Sequence, residues 1–353
     1  MSGGDEKILY ATTTSPLKLE VIGKVYKEYT VIGVTQNTFQ LPEYPSGPEA
    51  GVMCARMRIE GARQEGAFHD GKYDAIISIE SYVDEDMGAE MVCCIIETND
   101  GHIKVIIDRC ISLPQPLYSD FKQSSAIAAS WGGYSNTFGQ YMVKNGHCHD
   151  PKNWFGRRAA LCLAVTKLKE HEGSTMTKQT IYAYLDYFKD YPKPGVLFTS
   201  LGSLMSHACN FKDFVAFMVE YIESSGVRVQ YIIGLETRGI HIGAIIAHKL
   251  GVGFQMARKA GKLPNKHLLT TQYNTEYSKD AIEVAPLRAL SEATSVLIVD
   301  DLIATGGSIC AVAECIRQRY PGKQISCYAP LKVSTLESMA RVKIEKEASI
   351  KWI

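Results

Sequence analysis

The sequence predicts an α/β protein of two domains, the second built on a parallel, doubly wound sheet. Three observations carry this. At 353 residues the chain is long for one domain. Beyond residue 178, strands alternate with helices, the pattern of parallel strands joined by crossover helices. The runs Tyr231–Leu235 and Val296–Val299 are apolar without alternation, as strands buried on both faces are.

Within the first domain, residues 1–170, Lys7–Thr12 reads as a strand and Leu19–Tyr29 as a helix. Pro48–Glu65 has helical composition despite its glycines, and Tyr73–Val83 is a second strand. Glu90–Thr98 and His102–Ser112 are β-rich runs flanking Asn99-Asp100-Gly101, a hairpin signal. Trp154–Lys169 closes the domain as a helix, and the polar stretch Lys167–Lys178 marks the seam. In the second domain, residues 178–353, helices are expected at Gln179–Lys189, Asp213–Ser224 and Ile242–Leu250, the last capped by Gly251. A strand, loop and helix occupy residues 295–320, and Ser326–Val333 is the final strand.

Composition excludes several classes. Hydrophobic content of 46% and charged content of 22% are ordinary for a globular enzyme. With 38 basic and 38 acidic residues, nothing suggests a nucleic-acid binder or a membrane-surface protein. Ten cysteines lack any framework spacing and no signal peptide precedes them, so reduced thiols and a cytoplasmic location are expected. No apolar run approaches the ~20 residues that span a bilayer. His147, Cys148 and His149 are too closely adjacent to serve one ion, and Cys93-Cys94 reads as packing.

The most informative segment is Ser295–Ser308. Its apolar strand ends in Asp300-Asp301 and runs through Ala304-Thr305-Gly306-Gly307-Ser308 into a helical pattern. A loop feeding a helix offers backbone N–H groups and a positive dipole end to an anion. Glycine lets a phosphate approach the backbone, Thr305 and Ser308 add hydroxyls, and the aspartates can accept hydrogen bonds from a diol. Phosphate on one side and hydroxyls on the other describe a ribose 5-phosphate. Without Gly-Lys-Ser/Thr, the loop is not a nucleotide P-loop. The alternative is a tight turn with Ser308 as helix cap.

A second strand end carries Glu236, Thr237 and Arg238 between Gly234 and Gly239, which suits a second anionic group such as pyrophosphate. Arg258, Lys259 and Lys262 cluster soon after. Gly261–Tyr277 is polar, long and without periodicity, the character of a lid, and carries Glu276.

Together these residues closely resemble the adenine phosphoribosyltransferases, over roughly Gln179 to Val333. The matching segments are Tyr191–Phe198, Gly234–Gly239, Ala257–Pro264, Tyr273–Tyr277 and the Asp-Asp…Thr-Gly-Gly stretch. The resemblance implies a type I phosphoribosyltransferase fold and magnesium-dependent transfer of ribose 5-phosphate from phosphoribosyl pyrophosphate to adenine, in a homodimer. Thr305–Ser308, with Ala304 beside them, would hold the 5-phosphate, and Asp300 and Asp301 the ribose hydroxyls. Thr237, Arg238, Arg258, Lys259 and Lys262, with Glu236 in the same turn, would cradle pyrophosphate. Phe198 would stack on the base, with backbone at Leu197 and Thr199 reading its edge, and Glu276 would handle the proton of the attacking nitrogen. Mg²⁺ would be held mainly by substrate. Family members commonly follow the Val-Leu-Phe stretch with Arg-Asp. This chain has Thr199-Ser200, which bears on the choice of purine.

The first domain is similar, more loosely, to the inosine/xanthosine triphosphatases, through Ala11–Lys18, Pro45–Arg58, Tyr73–Ser81 and Ser112–Pro116. Lys18 would meet phosphates, and Glu49 and Glu80 would share a metal. Gly51 and Tyr82 depart from that family's pattern, in which a second acid and small residues are usual. The departures argue against efficient triphosphate hydrolysis and for a degenerate scaffold or an oligomerisation module. Three functions follow: an enzyme making AMP, the same enzyme with an active triphosphatase domain, or a non-catalytic phosphoribosyl pyrophosphate-binding regulator. Glu276 and the basic cluster favour an enzyme over a sensor, which needs no proton handler.

Overall fold

The computed structural model describes residues 6–68, 72–126, 133–154, 156–171, 176–191, 194, 196–264, 268–274, 279–332, 344–345 and 351–352. The chain forms two compact units, Met1–Phe214 and Val215–Ile353, divided within the helix Ala208–Ser224. The divide falls later than the expected seam at Lys167–Lys178. The residues beyond that seam fold onto the first unit, where Arg56 Nε donates to the Leu185 carbonyl at 3.0 Å and Gln64 Nε2 to that of Tyr187 at 2.8 Å.

The first unit holds a five-stranded sheet in the order Thr30–Gly33, Ile8–Ala11, Ala75–Asp84, Ala89–Thr98, Ile103–Ser112. The first three strands are parallel, and the hairpin signal at Asn99-Asp100-Gly101 joins the last two antiparallel. Alternate residues, among them Leu9, Ile77, Ile79, Val92 and Cys94, form one core with the helices Pro16–Val25 and Arg157–Glu170. Helix Pro48–Gln64 buries Val52, Cys54, Ala55, Met57 and Ile59 and packs on the sheet. Gln179–Lys189 is not the expected helix. It is a short 3₁₀ turn, Thr180–Tyr184, followed by the strand Asp186–Lys189 paired antiparallel with Leu197–Ser200. Aromatic residues such as Tyr187 and Phe188 suit a strand, and only a distant partner strand could reveal the pairing.

The second unit holds a seven-stranded sheet: Leu269–Asn274, Lys279–Val284, Gly253–Lys259, Tyr231–Leu235, Ser295–Val299, Gln324–Tyr328, Lys351–Trp352. The last five strands are parallel, as expected, and the first two form an antiparallel pair at one edge. Tyr231–Leu235 and Ser295–Val299 are buried at every position, which explains why neither alternates. Helix Arg238–Leu250 ends at Gly251, whose φ of 67° is the left-handed cap that glycine favours.

Two expectations change here. The stretch Gly261–Tyr277 contains a strand, Leu269–Asn274, because Leu269 packs against the buried core that includes Ile282 and Val284. It is therefore not a structureless lid, and Thr275, Glu276 and Tyr277 lie outside the described residues. The run Ser326–Val333 is two strands, Gln324–Tyr328 and Leu331–Lys332, separated at Pro330, which has no N–H for a ladder; Val333 lies outside the described residues. No helix among the described residues is long and apolar enough to cross a membrane.

Candidate functional site

The second unit's sheet has a switch point between Tyr231–Leu235 and Ser295–Val299. From the first strand, helix Arg238–Leu250 leads to the neighbour on one side. From the second, helix Gly307–Arg319 leads to the neighbour on the other. In sheets of this kind ligands bind beyond the carboxyl ends of the strands at such a point. Glu236, Thr237 and Arg238 leave one strand there, and Asp300 to Ser308 leave the other.

Both turns are held close by missing side chains. A Cβ on Gly239 would lie 2.5 Å from the Val299 carbonyl oxygen and 2.9 Å from Asp300 Cα. A Cβ on Gly234 would lie 2.5 Å from the Gly239 carbonyl oxygen. The glycines thus let the turn after one strand rest directly on the end of the next. The peptide between Glu236 and Thr237 is cis.

Asp301 is buried, and Arg238 Nε stands 2.8 Å from its Oδ2. The approach is an ion pair without hydrogen-bond alignment, and Oδ2 accepts no hydrogen bond among the described residues. A carboxylate has lone pairs to spare beyond one ion pair, so a further donor such as a ribose hydroxyl is chemically suited to it. Asp300 Oδ1 accepts from the Asp301 N–H at 2.9 Å, and the Asp300 N–H donates to the Tyr328 carbonyl at 3.1 Å. Burial, and then the charge of Asp301, raise the Asp300 carboxyl well above the usual carboxylate range.

A raised acid pKa makes the folded state pay for ionising Asp300. That cost is absent below about pH 4, where the carboxyl is protonated folded or unfolded, and grows as pH rises through the folded value. Asp300→Asn, which keeps the Oδ1 acceptor, is therefore expected to be more stable than wild type at neutral pH. Urea unfolding at a series of pH values checks this: the gap should close toward pH 4, and a gap that widens on acidification contradicts it.

The loop Ala304–Ser308 runs into a helix, as expected, with one correction. Gly306, with φ of 75°, precedes helix Gly307–Arg319, and no side chain caps that helix. Ser308 lies inside the first turn, so it is not the cap. The first-turn N–H groups carry no side-chain cap, as an anion site requires. The short strand Leu302–Ile303 pairs with Leu331–Lys332 and anchors the loop's start. Nothing in the local sequence announces this pairing, because its partner follows the intervening helix.

The basic cluster divides. Arg258 is a forked partner of Glu236, with Nη2 3.1 Å from Oε1 and Nε 3.3 Å from Oε2, and the Lys259 N–H donates to the same Oε2 at 2.8 Å. The hydrogen bond from Arg258 first, and that from Lys259 N–H next after the opposing effect of burial, hold Glu236 below the usual carboxylate range. Glu236 thus ties the ends of two neighbouring strands together, a role the sequence pattern did not suggest. Lys262 is exposed.

In the first unit, Leu197, Phe198 and Thr199 lie on the second strand of the Asp186–Lys189/Leu197–Ser200 hairpin, half-buried. Tyr191 meets Phe198 edge-on at 5.1 Å, and Phe188 lies 6.3 Å from it. Ser200 accepts the Gly202 N–H at 3.0 Å and so shapes the next turn.

Lys18, on helix Pro16–Val25, lies within electrostatic reach of Glu80, on strand Ala75–Asp84. Lys18 Nζ donates to the Ile79 carbonyl at 2.6 Å, and burial lowers its pKa to about 8, against the opposing pull of Glu80. Glu80 is bound by Arg58 through Nε at 2.5 Å and Nη2 at 3.1 Å. Despite burial, Arg58 and then Lys18 keep its carboxylate below the usual range. Glu49 stands in the first turn of helix Pro48–Gln64. A Cβ on Gly51 would lie 2.2 Å from Tyr82 Cδ1, so the Tyr82 ring occupies the space beside that helix. No group of three or more His, Cys, Asp or Glu able to hold a metal exists among the described residues.

The phosphoribosyl transferase domain family matches residues 210–345. An adenine phosphoribosyltransferase of Mastomys natalensis is 35% identical over 156 residues, covering 44% of this chain and 85% of that protein. One from Shewanella frigidimarina is 42% identical over 129 residues, covering 36% of this chain and 69% of that protein. The crystal structure of the Saccharomyces cerevisiae enzyme complexed with adenine matches 50% of this chain and 96% of that one, at 28% identity and a TM-score of 0.43.

Proposed function

The chain belongs to the adenine phosphoribosyltransferase family, and we propose that it joins adenine to the ribose 5-phosphate of phosphoribosyl pyrophosphate, giving AMP and pyrophosphate. The observation that carries this reading is the switch point, where the buried Asp301 carboxylate pairs with Arg238 at 2.8 Å and the loop that follows it runs into a helix start whose N-cap residue is a glycine. Nucleotide formation from each nucleobase in turn tests it.

The chemistry asks for these groups. The anomeric C–O bond breaks with its electron pair leaving on pyrophosphate, and the C–N bond forms from the base. Positive charge builds on the ribose and negative charge on the leaving group. Ala304 to Ser308 would anchor the 5-phosphate, and Asp300 and Asp301 would fix the ribose hydroxyls. Thr237, Arg238, Lys259 and Lys262 would meet the leaving pyrophosphate, with Arg258 acting partly through Glu236. Fixed donors and cations of this kind stabilise charge without reorganising. Glu276 would take the proton of the attacking nitrogen.

Magnesium fits as a substrate-held ion. Its ligands would come mainly from substrate oxygens, and when bound it would supply further charge neutralisation. Leu197, Phe198 and Thr199 would read the base, with Thr199-Ser200 replacing the family's Arg-Asp. A homodimer is the oligomeric state that accompanies this reading.

The first unit reads as a scaffold related to nucleotide triphosphatases, without their hydrolysis. The supports are Glu80 bound by Arg58 and the Tyr82 ring beside Gly51. Phosphate release from ITP or XTP with Mg²⁺ is expected to be the same, and negligible, for wild type and Glu80→Gln. Release that Glu80→Gln abolishes would make the chain bifunctional.

A further inference from the structure

Arg56 is 1% exposed in the middle of helix Pro48–Gln64. A buried guanidinium persists only where its donors are answered. Here they are answered in two directions. Toward the sheet, Nη1 donates to Glu97, and Nη2 lies 2.7 Å from Glu60 Oε1. Arg63 binds the same two glutamates, with Nη2 2.7 Å from Glu97 Oε1. Toward the later chain, Arg56 Nε donates to the Leu185 carbonyl at 3.0 Å, and Nη2 lies 3.9 Å from Asp186 Oδ1. Gln64 Nε2 adds a bond to the Tyr187 carbonyl at 2.8 Å.

Arg56, Glu60 and Gln64 recur every fourth residue and so share one helix face. From that face Arg56 and Gln64 hold three consecutive residues, Leu185, Asp186 and Tyr187, where the strand Asp186–Lys189 begins, while Glu60 holds Arg56. Asp186 is engaged again by the Ser203 N–H, which donates to Oδ2 at 3.0 Å. The partner strand is in register, Tyr187 opposite Thr199 and Phe188 opposite Phe198. Whatever fixes the first strand therefore fixes Leu197, Phe198 and Thr199.

We propose that Arg56, held by Glu60, and Gln64 position the base-reading hairpin, so that the helix Pro48–Gln64 sets the affinity for adenine. This rests on the base-reading role proposed above for Leu197 to Thr199. Arg56 and Gln64 are positioning residues: neither touches the base, and both hold the backbone of the strand paired with the one that does. A purely structural network would alter stability or both substrates alike, whereas this one acts on adenine alone.

The test uses the full-length protein with Arg56→Lys, which keeps a cation for Glu60 and Glu97 but loses the Nε donor, and with the exposed Gln64→Ala. Amide hydrogen exchange over Leu185–Ser200 is expected to quicken in both. The KM for adenine should rise about five- to tenfold, the scale of one lost hydrogen bond. The KM for phosphoribosyl pyrophosphate and kcat should stay within about twofold. An unchanged adenine KM, or an equal rise in both KM values, would overturn the proposal. Should Arg56→Lys not fold, Gln64→Ala decides by the same readings. Phe198→Ala separates the premise from the inference. If it raises the adenine KM while Arg56→Lys and Gln64→Ala do not, the positioning role alone fails. If it has no effect, the base-reading role fails and the proposal with it.

Discussion

Replacing Gly239 by alanine is expected to lower kcat/KM for phosphoribosyl pyrophosphate by about a hundredfold or more while leaving the protein folded. The added Cβ would sit 2.5 Å from the Val299 carbonyl oxygen and 2.9 Å from Asp300 Cα. Both are backbone atoms, at the last residue of the buried strand Ser295–Val299 and the residue after it, which no rotamer change can move aside. The Gly234–Gly239 turn must shift instead, carrying Arg238 away from Asp301. Displacements near 1 Å at reacting groups cost about a hundredfold. Steady-state kinetics with far-UV circular dichroism as the folding control checks this, and near-normal kinetics would mean that the two turns do not form one site.

Glu276→Ala is the second large effect. General acid–base assistance contributes about 10²–10⁴-fold, so kcat is expected to fall by that factor, about 2.7–5.4 kcal/mol of barrier. Phosphoribosyl pyrophosphate binding should be nearly intact, because the phosphate loop and the Arg238–Asp301 pair do not include this residue. Equilibrium binding beside single-turnover rates separates the two quantities. Unchanged turnover would remove Glu276 from the chemistry and reopen the regulator reading, since a sensor needs phosphate contacts but no proton handler.

How much of this the chain reveals depends on how local each feature is. The strand Tyr231–Leu235, the Gly251 helix end and the Asn99-Asp100-Gly101 hairpin were legible because their signals lie within a few residues. The same holds for Asp300, Asp301 and Thr305–Ser308, which one strand–loop–helix unit presents together. The unread parts are pairings between distant segments. Arg238 meets Asp301, Glu236 meets Arg258, and Leu302–Ile303 pairs with Leu331–Lys332, each between segments far apart in the chain. The strand Asp186–Lys189 reads as helix in the sequence for the same reason, since its partner strand and its contacts with Arg56 both come from elsewhere. In the first unit Gly51 and Tyr82 each looked like a departure. Together they are one packing solution, the ring occupying space that a larger residue at 51 would need.

The central claim is that the site at the switch point between the two buried strands makes AMP. The most direct measurement is to incubate the full-length protein with phosphoribosyl pyrophosphate and Mg²⁺ plus adenine, guanine, hypoxanthine or xanthine, and to identify the nucleotide by chromatography and mass. AMP from adenine, with pyrophosphate released in equal amount, is the expected result. No nucleotide from any base, or a product only from an oxopurine, would contradict it.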